Sequence, residues 1–69
     1  MNQLVEAELA RQLEKWGVQK HSDEKWSLIL GEEVGEVCKD ILEGNDPSDE
    51  IIQVIAVCIN WLNSKGFRK

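Results

Sequence analysis

Apolar residues recur along this chain at helical spacing, in three runs separated by short polar links. Val5, Leu9, Leu13 and Trp16 follow one another at intervals of four, four and three, with Glu6, Glu8, Arg11, Gln12 and Glu14 on the other face. The pattern predicts a first helix over residues 3–16, stopped by Gly17. Ser22 is a good N-cap, and Asp23 and Glu24 after it complement the helix dipole. The stretch WSLILGEEVGEVCKDILE, residues 26–43, then runs without proline as a second helix until Gly44-Asn45. Asp46 as N-cap, Pro47 as first helical residue and Asp49 in the first turn open a third helix over residues 47–65, with Gly66 as its stop. Its β-branched content would suit a strand. The length of the run, the missing period of two and the two caps favour a helix.

The second helix organises the rest. At about 100° per residue, Glu33, Glu36, Asp40 and Glu43 share a stripe about 80° wide. Trp26, Leu30, Val34, Val37 and Ile41 form a core-facing stripe roughly a quarter-turn away. The acids therefore flank packed surface, and Lys39 is the only basic residue between Trp26 and Glu43. Carboxylates so placed are costly unless a cation neutralises them. Gly31 and Gly35 lie on the far side with Leu28, Cys38 and Leu42. Mid-helix glycine costs about 0.5–1 kcal/mol relative to alanine, so close approach of another helix is expected there. The third helix is apolar around most of its circumference, from Ile51 to Leu62, and is expected at the centre of its assembly. Its polar exceptions Glu50, Gln53, Asn60 and Ser64 share one stripe.

The expected fold is all-α: one domain over residues 1–69, three helices, completed into a four-helix-bundle-type core by a homodimer or a dimer of dimers. With 69 residues, the core is marginal without association or metal. Cys38 and Cys58 have no CxxC spacing and read as small core residues in a reducing compartment. Two such cysteines and the single His21 make a structural zinc site a poor fit. The net charge of −5 leaves no basic patch for a nucleic-acid polymer. No signal-peptide pattern opens the chain and no apolar run approaches membrane-spanning length. The expected location is cytoplasmic, with no membrane partner.

A short turn between the second and third helices makes them antiparallel neighbours. Glu50 then lies level with Glu36 and Asp40 after a modest offset. Convergent carboxylates on two helices make an oxygen-only site suited to Mg²⁺ or Mn²⁺ and to phosphate oxygens. A lone E-x-x-E arises often by chance; two such stripes beside apolar faces on sequential helices are more specific.

EEVGE followed by DEIIQVIAV resembles the MazG-like, all-alpha nucleoside triphosphate pyrophosphohydrolase family, whose pattern is E-x-x-E on one helix and E-x-x-D on the next. RQLEKWGVQKHSDEKWSLILGEE is similar to a small phage and bacterial branch of that family, so the likeness runs from about Arg11 to Leu62. The resemblance implies Mg²⁺-dependent hydrolysis of a nucleoside triphosphate to monophosphate and pyrophosphate, with house-cleaning of non-standard nucleotides as the setting. It implies Glu33, Glu36, Glu50 and Gln53 as metal ligands and Glu32, Glu33 and Glu36 in the catalytic role. Lys15, Trp16, Gln19, His21, Lys39 and Asn60 are the further candidates for substrate binding. Gln53 departs from the pattern, which has Asp there; its carbonyl can ligate but brings no charge.

Simpler readings stand beside these. Trp26 and Trp61 fill a core, whereas Trp16 at a helix end can stack on a base. His21 caps or faces solvent as readily as it meets phosphate, and Lys15 and Lys39 are ordinary surface charges. The whole chain can equally be a non-catalytic helical interaction module with a degenerate metal site. A di-iron carboxylate bundle is disfavoured, because it needs Glu-x-x-His and the only histidine precedes the second helix.

Overall fold

A computed structural model of the chain describes residues 2–66. It contains three helices, α1 (Gln3–Trp16), α2 (Asp23–Leu42) and α3 (Ser48–Ser64). Each begins and ends where local chemistry dictates. Asn2 caps α1, its Oδ1 accepting from the Leu4 N–H at 2.6 Å and from Val5. Gly17 closes it at φ +71, a conformation open to glycine. Ser22 Oγ accepts from the Lys25 N–H at the head of α2. At α3 the helix begins one residue later than the sequence suggests, with Pro47 at the boundary. Asp46 still serves the first turn, its Oδ1 accepting from the Ser48 N–H and hydroxyl. A one-residue shift of this kind is normal at a frayed end.

Helix α3 packs against both α1 and α2, while α1 and α2 do not pack against each other. That is the central position its all-round apolar surface calls for. An antiparallel α2/α3 pair is tied at one end by Asp23, which accepts from Trp61 Nε1 at 2.9 Å and from Lys65 Nζ at 3.1 Å. Those bonds, the indole first and then Lys65, hold the Asp23 carboxyl below its usual range.

The buried core is small: Val5, Trp26, Ala56 and Val57, with Trp26 only 1% exposed. The expected apolar stripe of α2 is therefore only partly covered, since Val34 and Ile41 face outward. Leu28 and Leu42 are 68% and 86% exposed on the glycine side. A Cβ built on Gly31 or Gly35 meets nothing within 4 Å, so no helix of the same chain explains these glycines. Cys38 and Cys58 are exposed, not core as expected from their apolar neighbourhoods. Cys38 shares the uncovered glycine side of α2. Cys58 belongs, with Ile51, Ile55 and Leu62, to an uncovered stripe of α3. Among the described residues no helix is long and apolar enough to cross a membrane.

Candidate functional site

Helical periodicity on α2 and the antiparallel run of α3 bring the acidic stripes alongside one another. Glu33, Asp40 and Glu50 are half-buried, while Glu32, Glu36 and Glu43 stay exposed. One carboxylate oxygen of Glu33 and one of Glu50 are hidden from solvent and have no hydrogen-bond partner. A hidden carboxylate oxygen without a donor favours the protonated form. Burial, then Glu50, Glu36, Glu8 and Glu32, push the Glu33 carboxyl above its usual range. Burial, then Asp40, Glu36, Asp49 and Glu8, raise Glu50 in the same sense. Asp40 and Glu36 thus act on Glu50 across the helix pair, as the predicted offset requires.

Glu8 of α1 also belongs to this cluster, which the sequence reading did not anticipate. Its side chain is only 11% exposed. Arg11 donates to it through Nε at 2.9 Å and through a terminal guanidinium nitrogen at 2.6 Å, and Gln12 Nε2 at 2.8 Å. The Arg11 bond holds the Glu8 carboxyl below its usual range, against an opposing effect of burial and with further help from Gln12. A signal was present: at about 100° per residue, Glu8 stands about 60° from the buried Val5. Reading α1 as a clean apolar stripe with a polar back hid this.

Among the described residues, no group of three or more His, Cys, Asp and Glu side chains is gathered closely enough to hold a metal ion. The donors present are nevertheless of one chemistry. The two unpartnered oxygens on facing helices, with Glu36 and Asp40 beside them, suit a hard divalent cation that keeps most of its waters. Gln53 is half-buried three residues beyond Glu50 on the same helix.

The predicted substrate residues separate. Gln19 and Asn60 line a cavity of about 370 Å³ between α1, residues 17–20 and the C-terminal half of α3. Asn60 Nδ2 donates to Gln12 Oε1 at 2.8 Å, so Asn60, Gln12 and Glu8 form one chain of polar contacts leading to the acids. Trp16 is exposed, with Lys15 Nζ 4.8 Å and the Arg11 guanidinium 5.9 Å from its ring centre. His21 is drawn inward and packs edge-on against Trp26, ring centres 4.9 Å apart. Lys39 stays exposed in the last turn of α2. Gln12 links Asn60 of this set to Glu8, which Arg11 also contacts. No family model matches the chain, and no curated protein or solved structure is significantly similar to it.

Proposed function

We propose that the chain is a Mg²⁺-dependent nucleoside triphosphate pyrophosphohydrolase acting as a homo-oligomer. The observation that carries this reading is the pair of hidden, unpartnered carboxylate oxygens of Glu33 on α2 and Glu50 on α3, with Glu50 and further acids within electrostatic reach of Glu33. The sequence likeness supplies the reaction class. Glu33, Glu36 and Glu50 would hold the ion, with Gln53 as a neutral contact. When bound, Mg²⁺ (or Mn²⁺) supplies positive charge for the phosphates and lowers the pKa of a water. The chain's own part is proton transfer and orientation. A carboxylate of the Glu32, Glu33 and Glu36 set takes the proton of the water that attacks the α-phosphorus. The bond from that phosphorus to the bridging oxygen breaks, and pyrophosphate leaves with the electron pair. Arg11 keeps Glu8 ionised and oriented at the edge of the cluster, where it adds negative potential.

A second copy suits the surface left open. Leu28 and Leu42 on α2 and Ile51, Ile55 and Leu62 on α3 are left exposed by the single chain. A standard interface hides about 800 Å² per partner. The stripe Ile51, Ile55, Cys58 and Leu62 lies roughly half a turn of α3 from Gln53 and Asn60, so a partner seated there leaves the acids free. The alternative, a non-catalytic interaction module, draws on Gln53 and on the ungathered carboxylates. Pyrophosphate release from a panel of standard and modified nucleotides, with Mg²⁺ and with chelator, separates the two. Release that disappears in Glu36→Gln and Glu50→Gln supports the enzyme; none from any nucleotide leaves the module.

A further inference from the structure

We infer that a second copy of the chain docks on the uncovered face of α2 and α3 as an antiparallel, two-fold pair, with Gly31 of one protomer against the partner's Gly35. This rests on the homo-oligomer of the reading above and on none of its chemistry. The face is apolar on both helices. Leu28, Gly31, Gly35, Cys38 and Leu42 share one exposed stripe of α2, and Ile51, Ile55, Cys58 and Leu62 share one of α3. Two chains of net charge −5 repel, so their contact needs surface away from the acidic cluster. Residues 51–64 carry no charge, and Glu33, Glu36, Asp40 and Glu50 lie about a third of a turn or more from the middle of each stripe. The stripes run about 16–21 Å along two neighbouring helices, each about 10–12 Å across. That footprint is on the order of 400 Å² before the corrugation of the helices is counted, and as accessible surface it approaches the roughly 800 Å² per partner of a standard interface.

Spacing gives each stripe its own symmetry. Leu28, Gly31, Gly35 and Cys38 follow at steps of three, four and three, which reads the same in both directions about residue 33. Ile51, Ile55, Cys58 and Leu62 follow at four, three and four, the same in both directions about residues 56–57. These are heptad steps, and a stripe of this kind meshes with its own reverse in facing layers. One two-fold axis serves both stripes only if their midpoints are level. Contacts within the chain fix that level independently: Asp23 accepts from Lys65, Leu30 and Cys58 line one groove, and Glu36 and Asp40 both act on Glu50. This antiparallel register sets residue 33 opposite about residue 55, roughly 2 Å from the midpoint of the α3 stripe. A single axis therefore pairs Gly31 with the partner's Gly35, Leu28 with the partner's Cys38, Ile51 with the partner's Leu62 and Ile55 with the partner's Cys58. The glycines let the two α2 backbones approach closely, which explains residues that stand in open space within the protomer. Beside Leu62 the partner's Ile51 meets a groove of about 440 Å³, lined by Leu30, Cys58 and Trp61.

The test is disulfide trapping in the full chain, beside sedimentation. In a Cys38→Ser background, Ile55→Cys should link to the partner's Cys58 under copper phenanthroline and air, giving a covalent dimer on a non-reducing gel. Cys58 alone, and Ile55→Cys with Cys58→Ser, should link at least tenfold more slowly, because antiparallel packing offsets like positions along the axis. Gly31→Leu should weaken self-association at least tenfold in sedimentation while circular dichroism keeps the helix signal. Linking as fast in the single-cysteine variants points to parallel packing and overturns the inference, as does undiminished association of Gly31→Leu. A folded monomer at micromolar concentration overturns it together with the oligomer it rests on. An oligomer that shows no link between positions 55 and 58 overturns the register alone. Specific linking in a protein that releases no pyrophosphate keeps the dimer and removes the hydrolase.

Discussion

Replacing Glu33 with Gln should make the metal-free protein more stable at neutral pH. Glu33 combines a hidden, unpartnered oxygen with like charges on its own helix and on both neighbours. Two effects set the size of the gain. Relief of repulsion from Glu36, three residues on along the same helix, contributes about 0.2–0.5 kcal/mol. Release of the hidden oxygen's unmet solvation adds up to about 1 kcal/mol, at the low end for an unsatisfied buried group because Glu33 is only half-buried. A net stabilisation of about 1 kcal/mol corresponds to a rise in melting temperature of about 4–8 °C for a domain this small. The pH dependence is the sharper part. The folded chain binds the Glu33 proton more tightly than the unfolded chain, whose carboxyl titrates near 4.5. Glu33 therefore favours folding below that pH, and the contribution is lost as pH rises through the elevated value. The gain from Glu33→Gln should be present at pH 7 and nearly vanish at acidic pH, where both side chains are neutral. Thermal melts in chelator across pH 4–8 provide the measurement. Destabilisation at pH 7, or an equal gain at every pH, would show that Glu33 is not a strained carboxylate and would remove the observation on which the metal reading stands.

Saturating Mg²⁺ or Mn²⁺ should raise the melting temperature of the wild-type chain, by about 2.7 kcal/mol equivalent at one hundred times Kd, and Glu36→Gln should abolish that rise. Gln53→Asp, which adds a charge next to Glu50, should tighten Mn²⁺ binding in calorimetry without nucleotide; unchanged affinity would put residue 53 outside the ligand set. Gly35 has open space around it within the protomer, so in a monomer Gly35→Ala should gain about 0.5–1 kcal/mol of helix stability. In the proposed assembly Ile55→Glu, on the exposed α3 stripe, should lower the sedimenting mass while circular dichroism keeps the helix signal, and an unchanged mass would defeat the interface there. Trp26→Ala should remove about 3–5 kcal/mol, a large part of the roughly 3–10 kcal/mol expected for this length, and chemical denaturation at equilibrium reads it directly.

The three helices were legible because their causes are local. Ser22, Asp46 and Gly17 act within a turn of themselves, and the apolar spacing needs no partner to be read. Burial was not legible in the same way. Val34, Ile41, Cys38 and Cys58 all carry the pattern of interior positions, and all are exposed in the single chain. Periodicity tells which residues prefer to be covered, and a 69-residue chain has too little material to cover them all. His21 shows the complementary error. Its polarity suggested the surface, but the link between α1 and α2 lays it against Trp26.

Glu8 marks where reading the helices one at a time stops working. Its neighbours within α1 make it look like a surface acid paired to Arg11, which it is. Its second role exists only because α3 lies between α1 and α2 and brings three helices' carboxylates within electrostatic reach. The ion pair and the cluster then oppose each other on one side chain. Arg11 favours the charged form of Glu8, and that charge in turn makes Glu33 and Glu50 harder to ionise. Neutralising Glu8 alone would relieve the cluster while freeing Arg11, the cation already coupled to Glu33, to pair with it. The acids on α2 and α3 are legible in the sequence as two facing stripes of negative charge. The positive charge that partly offsets them comes from the arginine on α1, which only the folded arrangement couples to Glu33.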